Sequence, residues 1–483
     1  MKSISFKNFR RFETFPEFKF GDITILVGGN NAGKSTLVKA MMLVMDNLKT
    51  MRRDIFRDGL TSAPEFRFVN NQYHNLSIGS FDQAINRNHR GEDMEFVFSV
   101  DGITFTLTIG VSDEKGDVRP GNLNKIMIAD EQSGLQFVVD YTVMHIRLTH
   151  QDASSGDQWV EFGDKKYSHA QLQEIIDSPI RFNFSPLYGN IYDEILDYFV
   201  CGVKNAENLY GGVAERYLRD IEDCRVRIKN SLQHLNLVYL QAHCVKQQTL
   251  YRIGDNSDFT SATLSEFVAY KVHCAEEKRI HSFISQWMQW LEIGYDYKIN
   301  VALDEALAVT IFDDENDKTG FPMAQLGLGS IQLMVLLFGL ATQMKKSGRT
   351  GCYPTVIIEE PEQNLHPARQ SKLADLFSQL ARCSGFNFVI ETHSEYMVRR
   401  SQVLMAAPSQ AIWYPDAMLT ADSHLDASDK PFKVYYFPED GTPYDMKYTL
   451  SGRFENKFGN GFFDEAANSA LTISKLERKK ANV

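Results

Sequence analysis

No stretch of the 483-residue chain reaches the ~18 uninterrupted apolar residues that a membrane-crossing helix needs. The opening residues, MKSISFKNFRRF, lack the apolar core of a secretion signal. Cysteine is sparse. Cys201, Cys224, Cys244, Cys274, Cys352 and Cys383 form no CxxC pair, so reduced packing thiols are expected rather than a disulfide framework. His and Cys fall in no zinc-binding spacing, and no H-N-H string is present. A surplus of positive charge is missing too. The net charge of −11 argues against broad, unassisted binding to nucleic acid, which draws on phosphate neutralisation. Two short basic stretches, KTMRR with Arg57 and Lys475 to Lys480, read as solvated surface or as a local DNA contact. Repeats and low-complexity linkers are also absent. These absences point to a cytoplasmic protein without membrane attachment, and a hydrophobic content of 43% is enough for a full core.

What is present alternates. Residues 1–48 read as strands, a loop and a helix. Glu95 to Ile109 alternates apolar and polar around Asp101-Gly102, which marks a hairpin. Leu135 to Leu148 reads as a strand or a pair. Asn205 to Asn236 and Leu264 to Leu291 read as helices. In the second, Ile280, Phe283, Ile284, Trp287 and Leu291 recur at helical spacing, as core packing or as a partner groove. From Tyr297 onward strands alternate with helices: LAVTIF, Ile331 to Lys345, TVIIEE, His366 to Ala381, FNFVIET, Glu395 to Val403 and FKVYYF. This predicts an α/β fold with a mainly parallel core sheet, an antiparallel β-subdomain and an inserted helical arm. The expected divisions are 1–200, 201–295 for the arm or lid, and 296–483.

The chemistry begins at Gly28. Gly28-Gly-Asn30-Asn31-Ala32-Gly33-Lys34-Ser35 is an unbroken GxxxxGK[ST], followed by Thr36, between an apolar strand and a helix. In such a loop backbone N–H groups converge on phosphate oxygens, the lysine reaches the β- and γ-phosphates, and the serine gives Mg²⁺ an oxygen. Glu359 and Glu360 end the apolar strand TVIIEE. Glu359 sits where a carboxylate holds a water of a magnesium shell. Glu360 is placed to act as general base on the attacking water.

Together, GGNNAGKS, LGLGSIQ, IIEEPEQNLHP and IETHS resemble the ABC-type ATPase heads of the RecF and SMC group, and most nearly the OLD-like ATPases of bacterial anti-phage defence. The resemblance implies an ABC-ATPase head that binds ATP and Mg²⁺. It makes Glu359 and Glu360 the Walker B pair and His393 the switch histidine at the γ-phosphate. Asn364, Leu365 and His366 become the D-loop. Gly327, Gly329 and Ser330 stand at the signature motif that caps the opposite subunit's nucleotide, although the usual LSGGQ-type string is not intact. Otherwise Ser330 simply caps the next helix. Gln83 or Asp82 in GSFDQ matches the Q-loop, a metal or water contact. Asn8, Arg10 and Arg11 match a segment near adenine and ribose, or form a hairpin with solvated arginines. Gly452 to Glu465 resembles a C-terminal OLD-like segment.

OLD-like nucleases carry a Toprim domain after the ATPase. Asp416, Asp422, Asp426 and Asp429 lie in a loop without the strand context such a domain needs, so no nuclease is expected in this chain. The expectation is an ATP-hydrolysing, head-to-head dimer or higher oligomer that regulates or scaffolds a separate effector, an HNH nuclease or a toxin, as in Septu- or PARIS-type systems. The alternatives are an ATP-clamped sensor scaffold with negligible hydrolysis and a RecF-like repair ATPase acting on DNA.

Overall fold

The computed structural model describes residues 1–50, 65–69, 76–111, 120–142, 145–151, 159–166, 212–241, 245–410, 431–459, 462–465 and 468–474. The four aspartates between 416 and 429, Arg57 and the basic run at 475–480 lie outside them. Two compact units emerge. One joins Met1–Lys19 to Ser35–Leu235, the other Phe20–Lys34 to Asn236–Val483. These cuts are not those read from the sequence at 200 and 295.

In the first unit an antiparallel sheet of nine strands runs β10-β9-β8-β7-β6-β5-β1-β2, with β4 on β7. Numbered along the chain, these are β1 (Ser3–Phe9), β2 (Phe12–Lys19), β4 (Glu65–Phe66), β5 (Met94–Val100), β6 (Ile103–Val111), β7 (Gly121–Asp130), β8 (Leu135–Asp140), β9 (His145–Gln151) and β10 (Trp159–Lys166). Alternation does what a half-buried strand requires. Met94, Phe96 and Phe98 turn inward from β5, and Ile103, Phe105 and Leu107 from β6. Asp101 and Gly102 join them at φ 49° and 80°, the left-handed pair of a tight hairpin. The stretch 135–148 is a pair of strands. Helix α1 (Lys34–Thr50) starts on the last residue of the other unit's segment and continues in this one. A short α2 (Phe81–Ala84) and a long α3 (Gly212–His234) complete the described part. Arg227 of α3 donates to the buried carboxylate of Asp130, which with Ser133 keeps that carboxylate below its ordinary range despite burial.

The second unit is built on a six-stranded sheet, order β11-β16-β17-β3-β18-β19. Its strands are β3 (Ile23–Gly28), β11 (Leu237–Leu240), β16 (Thr355–Glu359), β17 (Asn387–Glu391), β18 (Phe432–Phe437) and β19 (Tyr444–Asp445). The first five of that order are parallel, and only β19 runs against its neighbour. The strands read as unbroken apolar runs because both faces are covered. Helices α4 (Phe259–Ala269), α5 (Cys274–Trp290), α6 (Leu328–Thr350), α7 (Pro367–Ser384) and α8 (Glu395–Ala406) supply the cover. A separate antiparallel sheet holds β12 (Tyr251–Arg252), β13 (Asp296–Ala302), β14 (Ala306–Phe312) and β15 (Phe321–Pro322).

Two expectations need correction. LAVTIF belongs to β14 of the antiparallel sheet, not to the parallel one, because a period-2 pattern does not say which strand lies alongside. The single helix expected over 264–291 is two. Tyr270 leaves α4 at φ −83°, ψ 97° and His273 enters α5 at φ −63°, ψ 151°, both extended. Leu264, Phe267, Ile280, Phe283, Ile284 and Trp287 all join the core of this unit, and Trp287 Nε1 donates to buried Gln379 at 2.9 Å. The aromatic stripe is therefore packing. Helix α6 is long and apolar enough to cross a membrane, but 94% of its apolar window is buried inside the fold. The described residues of the segment, 452–459 and 462–465, also pack. Phe454 lies 4.8 Å from Tyr448, and Phe462 lies 5.3 Å from Tyr436 of β18, ring centre to ring centre.

Candidate functional site

Parallel strands β16, β17 and β3 lie side by side, so their carboxyl ends share one rim, where α/β sheets hold ligands. Glu359 stands in register with Glu391, and Glu391 with Leu26, two residues before Gly28. The sequence places each acid at a strand end because the apolar run before it fills the sheet.

The phosphate loop turns on left-handed backbone. Gly28 has φ 149°, Asn31 60° and Gly33 106°. Gly28 also lacks room for a side chain, since a Cβ would come within 2.3 Å of the Phe437 carbonyl oxygen. Successive N–H groups in such a turn form an anion cradle. Lys34, 3% exposed, folds back over the loop. Its ammonium donates to the carbonyls of Gly28 (3.1 Å) and Gly29 (2.9 Å) and lies 3.6 Å from Glu391 Oε1. Burial lowers its pKa, and the Glu391 carboxylate opposes that shift. Ser35 and Thr36 continue into α1; Asn30 and Ala32 complete the loop.

Glu359 ends β16 half-buried, and Tyr239 of neighbouring β11 donates its hydroxyl to Glu359 Oε2 at 2.6 Å. Glu360 leaves the strand at φ 46°, a left-handed conformation that strains any residue with a side chain. Its backbone N–H donates to the Glu391 carbonyl at 2.7 Å. Gln363 donates to its carboxylate, and His393 Nε2 lies 3.8 Å from Glu360 Oε1. Burial and the nearby Lys34 cation lower the His393 pKa, so at neutral pH the imidazole is uncharged and keeps one N–H to donate. Glu362 is 7% exposed, and its Oε1 accepts the backbone N–H of His393 at 2.6 Å. Burial raises its pKa against that bond. Ser394 donates to Gln370 Oε1 at 2.6 Å and caps α8 through Met397 N. Residues 360–370 and 391–394 are thus stitched at several points.

Gly329 and Ser330 lie in the first turn of α6, whose N-cap is Gly327. Ser330 makes no cap bond, since no side chain caps that helix. Its hydroxyl accepts from Arg369 at 2.9 Å instead. His366 caps α7 through its own side chain. Gln83 and Asp82 sit on α2 and, with Asn8, Arg10 and Arg11, belong to the other unit. Asn8 (φ 55°) and Arg10 (φ 54°) shape the turn from β1 into β2, and Asn8 donates to the Asp93 carbonyl at 3.0 Å.

Sequence reading singled out Lys34, Glu359, Glu360 and His393. It passed over Tyr239, Glu362, Glu391 and Arg369. Glu362 and Glu391 sit inside motifs already quoted and Arg369 two residues beyond one, so their nearness was visible but their direction was not. Tyr239 carried no sequence signal at all. Among the described residues no cluster of three or more His, Cys, Asp or Glu could hold a metal by itself. A magnesium ion bound with a triphosphate needs fewer protein ligands, because phosphates and waters fill its shell. The Ser35 hydroxyl and the Glu359 carboxylate are each oxygen donors of the kind it takes.

The model of the AAA ATPase domain family matches residues 1–103 and 228–398, more than half of the chain. Among curated proteins, Endonuclease GajA of Bacillus cereus is 22% identical over 437 residues, covering 82% of this chain and 58% of that protein. The chain thus spans less than two thirds of this relative's length. Among solved structures, the Smc head domain of Pyrococcus furiosus bound to the C-terminal domain of ScpA has a TM-score of 0.34 at 11% identity, covering 99% of each chain. The recombination mediator RecF with ATPrS has a TM-score of 0.31 at 11% identity, covering 92% of this chain and 98% of that one.

Proposed function

The chain belongs to the AAA ATPase domain family, and from that premise we propose that it hydrolyses ATP to ADP and phosphate within a head-to-head dimer, each copy capping the other's nucleotide. The observation that carries this reading is the shared rim of β3, β16 and β17. It brings Lys34 to Glu391 and His393 to Glu360 within 4 Å in each case.

In this reading the loop from Gly28 to Thr36 cradles the triphosphate, and Lys34 exchanges its carbonyl partners for the β- and γ-phosphates. Magnesium bound with the nucleotide would neutralise phosphate charge. A hydroxyl from Ser35 and, by way of a water, the Glu359 carboxylate would hold it. Glu360 takes the proton of the attacking water. His393, neutral, donates its N–H to the γ-phosphate. Gly329 and Ser330 contact the γ-phosphate held by the second copy.

One relative is named an endonuclease. For this chain we assign the ATPase role and leave DNA cleavage to a separate effector in a defence setting. Incubating the purified chain alone with duplex DNA and Mg²⁺ or Mn²⁺ tests that division. Intact DNA is expected, and ATP-independent cleavage would contradict it.

The catalytic assignment is tested by phosphate release. Glu360→Gln should lower turnover about 10²-fold or more while retaining bound ATP. Lys34→Ala should lose ATP binding itself. Equal turnover in Glu360→Gln and wild type would refute the base. Tight ATP binding with no release in the wild type would turn the reading to an ATP-clamped scaffold.

A further inference from the structure

The signature segment and the loop after the paired acids are built as one piece. A Cβ on Gly329 would lie 2.3 Å from the Asn364 carbonyl oxygen and 3.0 Å from the Leu365 side chain, so only glycine allows this approach. Fully buried Gln332 donates to the Pro361 carbonyl at 3.2 Å and accepts from Asn364 at 3.4 Å. Arg369, in the first turn of α7, closes the set. Its Nη1 donates to Ser330 Oγ at 2.9 Å and its Nη2 to the Glu292 carbonyl at 2.9 Å. Glu292 presents that carbonyl from a left-handed turn, φ 57°.

A guanidinium only donates, so Ser330 is the acceptor in this contact. Its own proton therefore points elsewhere. A hydroxyl that accepts from a cation also becomes a better donor on its other side. The two-pronged geometry fixes where the oxygen sits, since one prong is held by backbone and the other by Ser330.

We infer that Arg369 is a positioning residue of the shared nucleotide site. It fixes the Ser330 hydroxyl and polarises its O–H toward an anionic oxygen, the γ-phosphate held by a second copy of the chain. This rests on the dimeric reading above. A lysine keeps the charge but has no planar fork to hold both acceptors, so it does not substitute.

The test uses the full chain carrying Glu360→Gln, with Mg²⁺, and reads by sedimentation the ATP concentration at half-dimerisation. Adding Arg369→Ala should raise that midpoint about tenfold, the size expected for loss of a charged hydrogen bond. Arg369→Lys should raise it nearly as far, and should decide the matter if the alanine variant melts early. Ser330→Ala should give a similar rise, and combining it with Arg369→Ala should add nothing, because one contact is lost either way. Binding of a fluorescent ATP analogue to the monomer should stay unchanged in all of them, which a merely structural role would not preserve. An unchanged midpoint in Arg369→Ala, or full additivity with Ser330→Ala, overturns the inference while leaving the dimer intact. A Glu360→Gln chain that never dimerises with ATP overturns the dimeric reading, and this inference with it.

Discussion

Glu362 is a carboxyl in a place that resists charge. It is 7% exposed, and it accepts hydrogen bonds from the Thr392 hydroxyl and from the backbone N–H of His393. Burial raises its pKa above the ordinary 4.5. A raised folded pKa favours folding fully below 4.5 and loses that contribution as pH rises through the folded value. Glutamine keeps the accepting oxygen without the charge. Glu362→Gln should therefore melt higher than wild type at pH 8, with a smaller gain at pH 5, in paired thermal scans. Glu362→Ala removes the acceptor of the part-buried His393 N–H and should cost about 1 kcal/mol in denaturant unfolding. Tyr239 acts on Glu359 in the same spirit, by a hydroxyl at 2.6 Å. Tyr239→Phe should raise the Mg²⁺ needed both for half-maximal turnover and for binding of a fluorescent ATP analogue, at a stability cost of about 1 kcal/mol. An unchanged Mg²⁺ requirement would make the bond structural only. Lys34, Glu359 and Glu360 could be read from their motifs and His393 from the resemblance of IETHS. Tyr239 could not, because its partner lies 120 residues away and LVYL looks like any buried strand.

Elements carry the site by adjacency. β3, β16 and β17 are neighbours, and their apolar runs announced them as buried strands before their order was known. The order itself comes from packing, and so does the place of β11 on the far side of β16. β14 shows the limit. LAVTIF alternates as a half-buried strand should, yet it pairs with β13 in a separate sheet. The break at residues 270–273 was hidden for a related reason, since apolar spacing continues across it while the backbone does not. Glycines mark where elements meet most closely. At Gly28 the strand passes into the loop at φ 149° with the Phe437 carbonyl in the way of any Cβ. Gly28→Ala should cost about 1–3 kcal/mol from backbone strain alone and abolish ATP binding, read by calorimetric titration and melting. Normal ATP affinity in that variant would mean the loop does not cradle phosphate as its conformation suggests.

For the whole molecule, the proposed function requires two copies sharing each nucleotide. Family membership and the rim of carboxylates support an ATPase, and in the proposed dimer Gly329 and Ser330 would act on the nucleotide of the other copy. Charge bears on this scale as well. A net charge of −11 argues against broad, unassisted binding to DNA, and any local DNA contact should weaken steeply with salt. The most direct measurement mixes two inactive chains, Lys34→Ala and Ser330→Arg, and follows phosphate release. Each alone spoils both sites of its dimer. A mixed dimer has one site with an intact phosphate loop from one chain and an intact Ser330 from the other. The account predicts that mixing equal amounts restores turnover to about a quarter of wild type. Two variants that stay as inactive together as apart would contradict it.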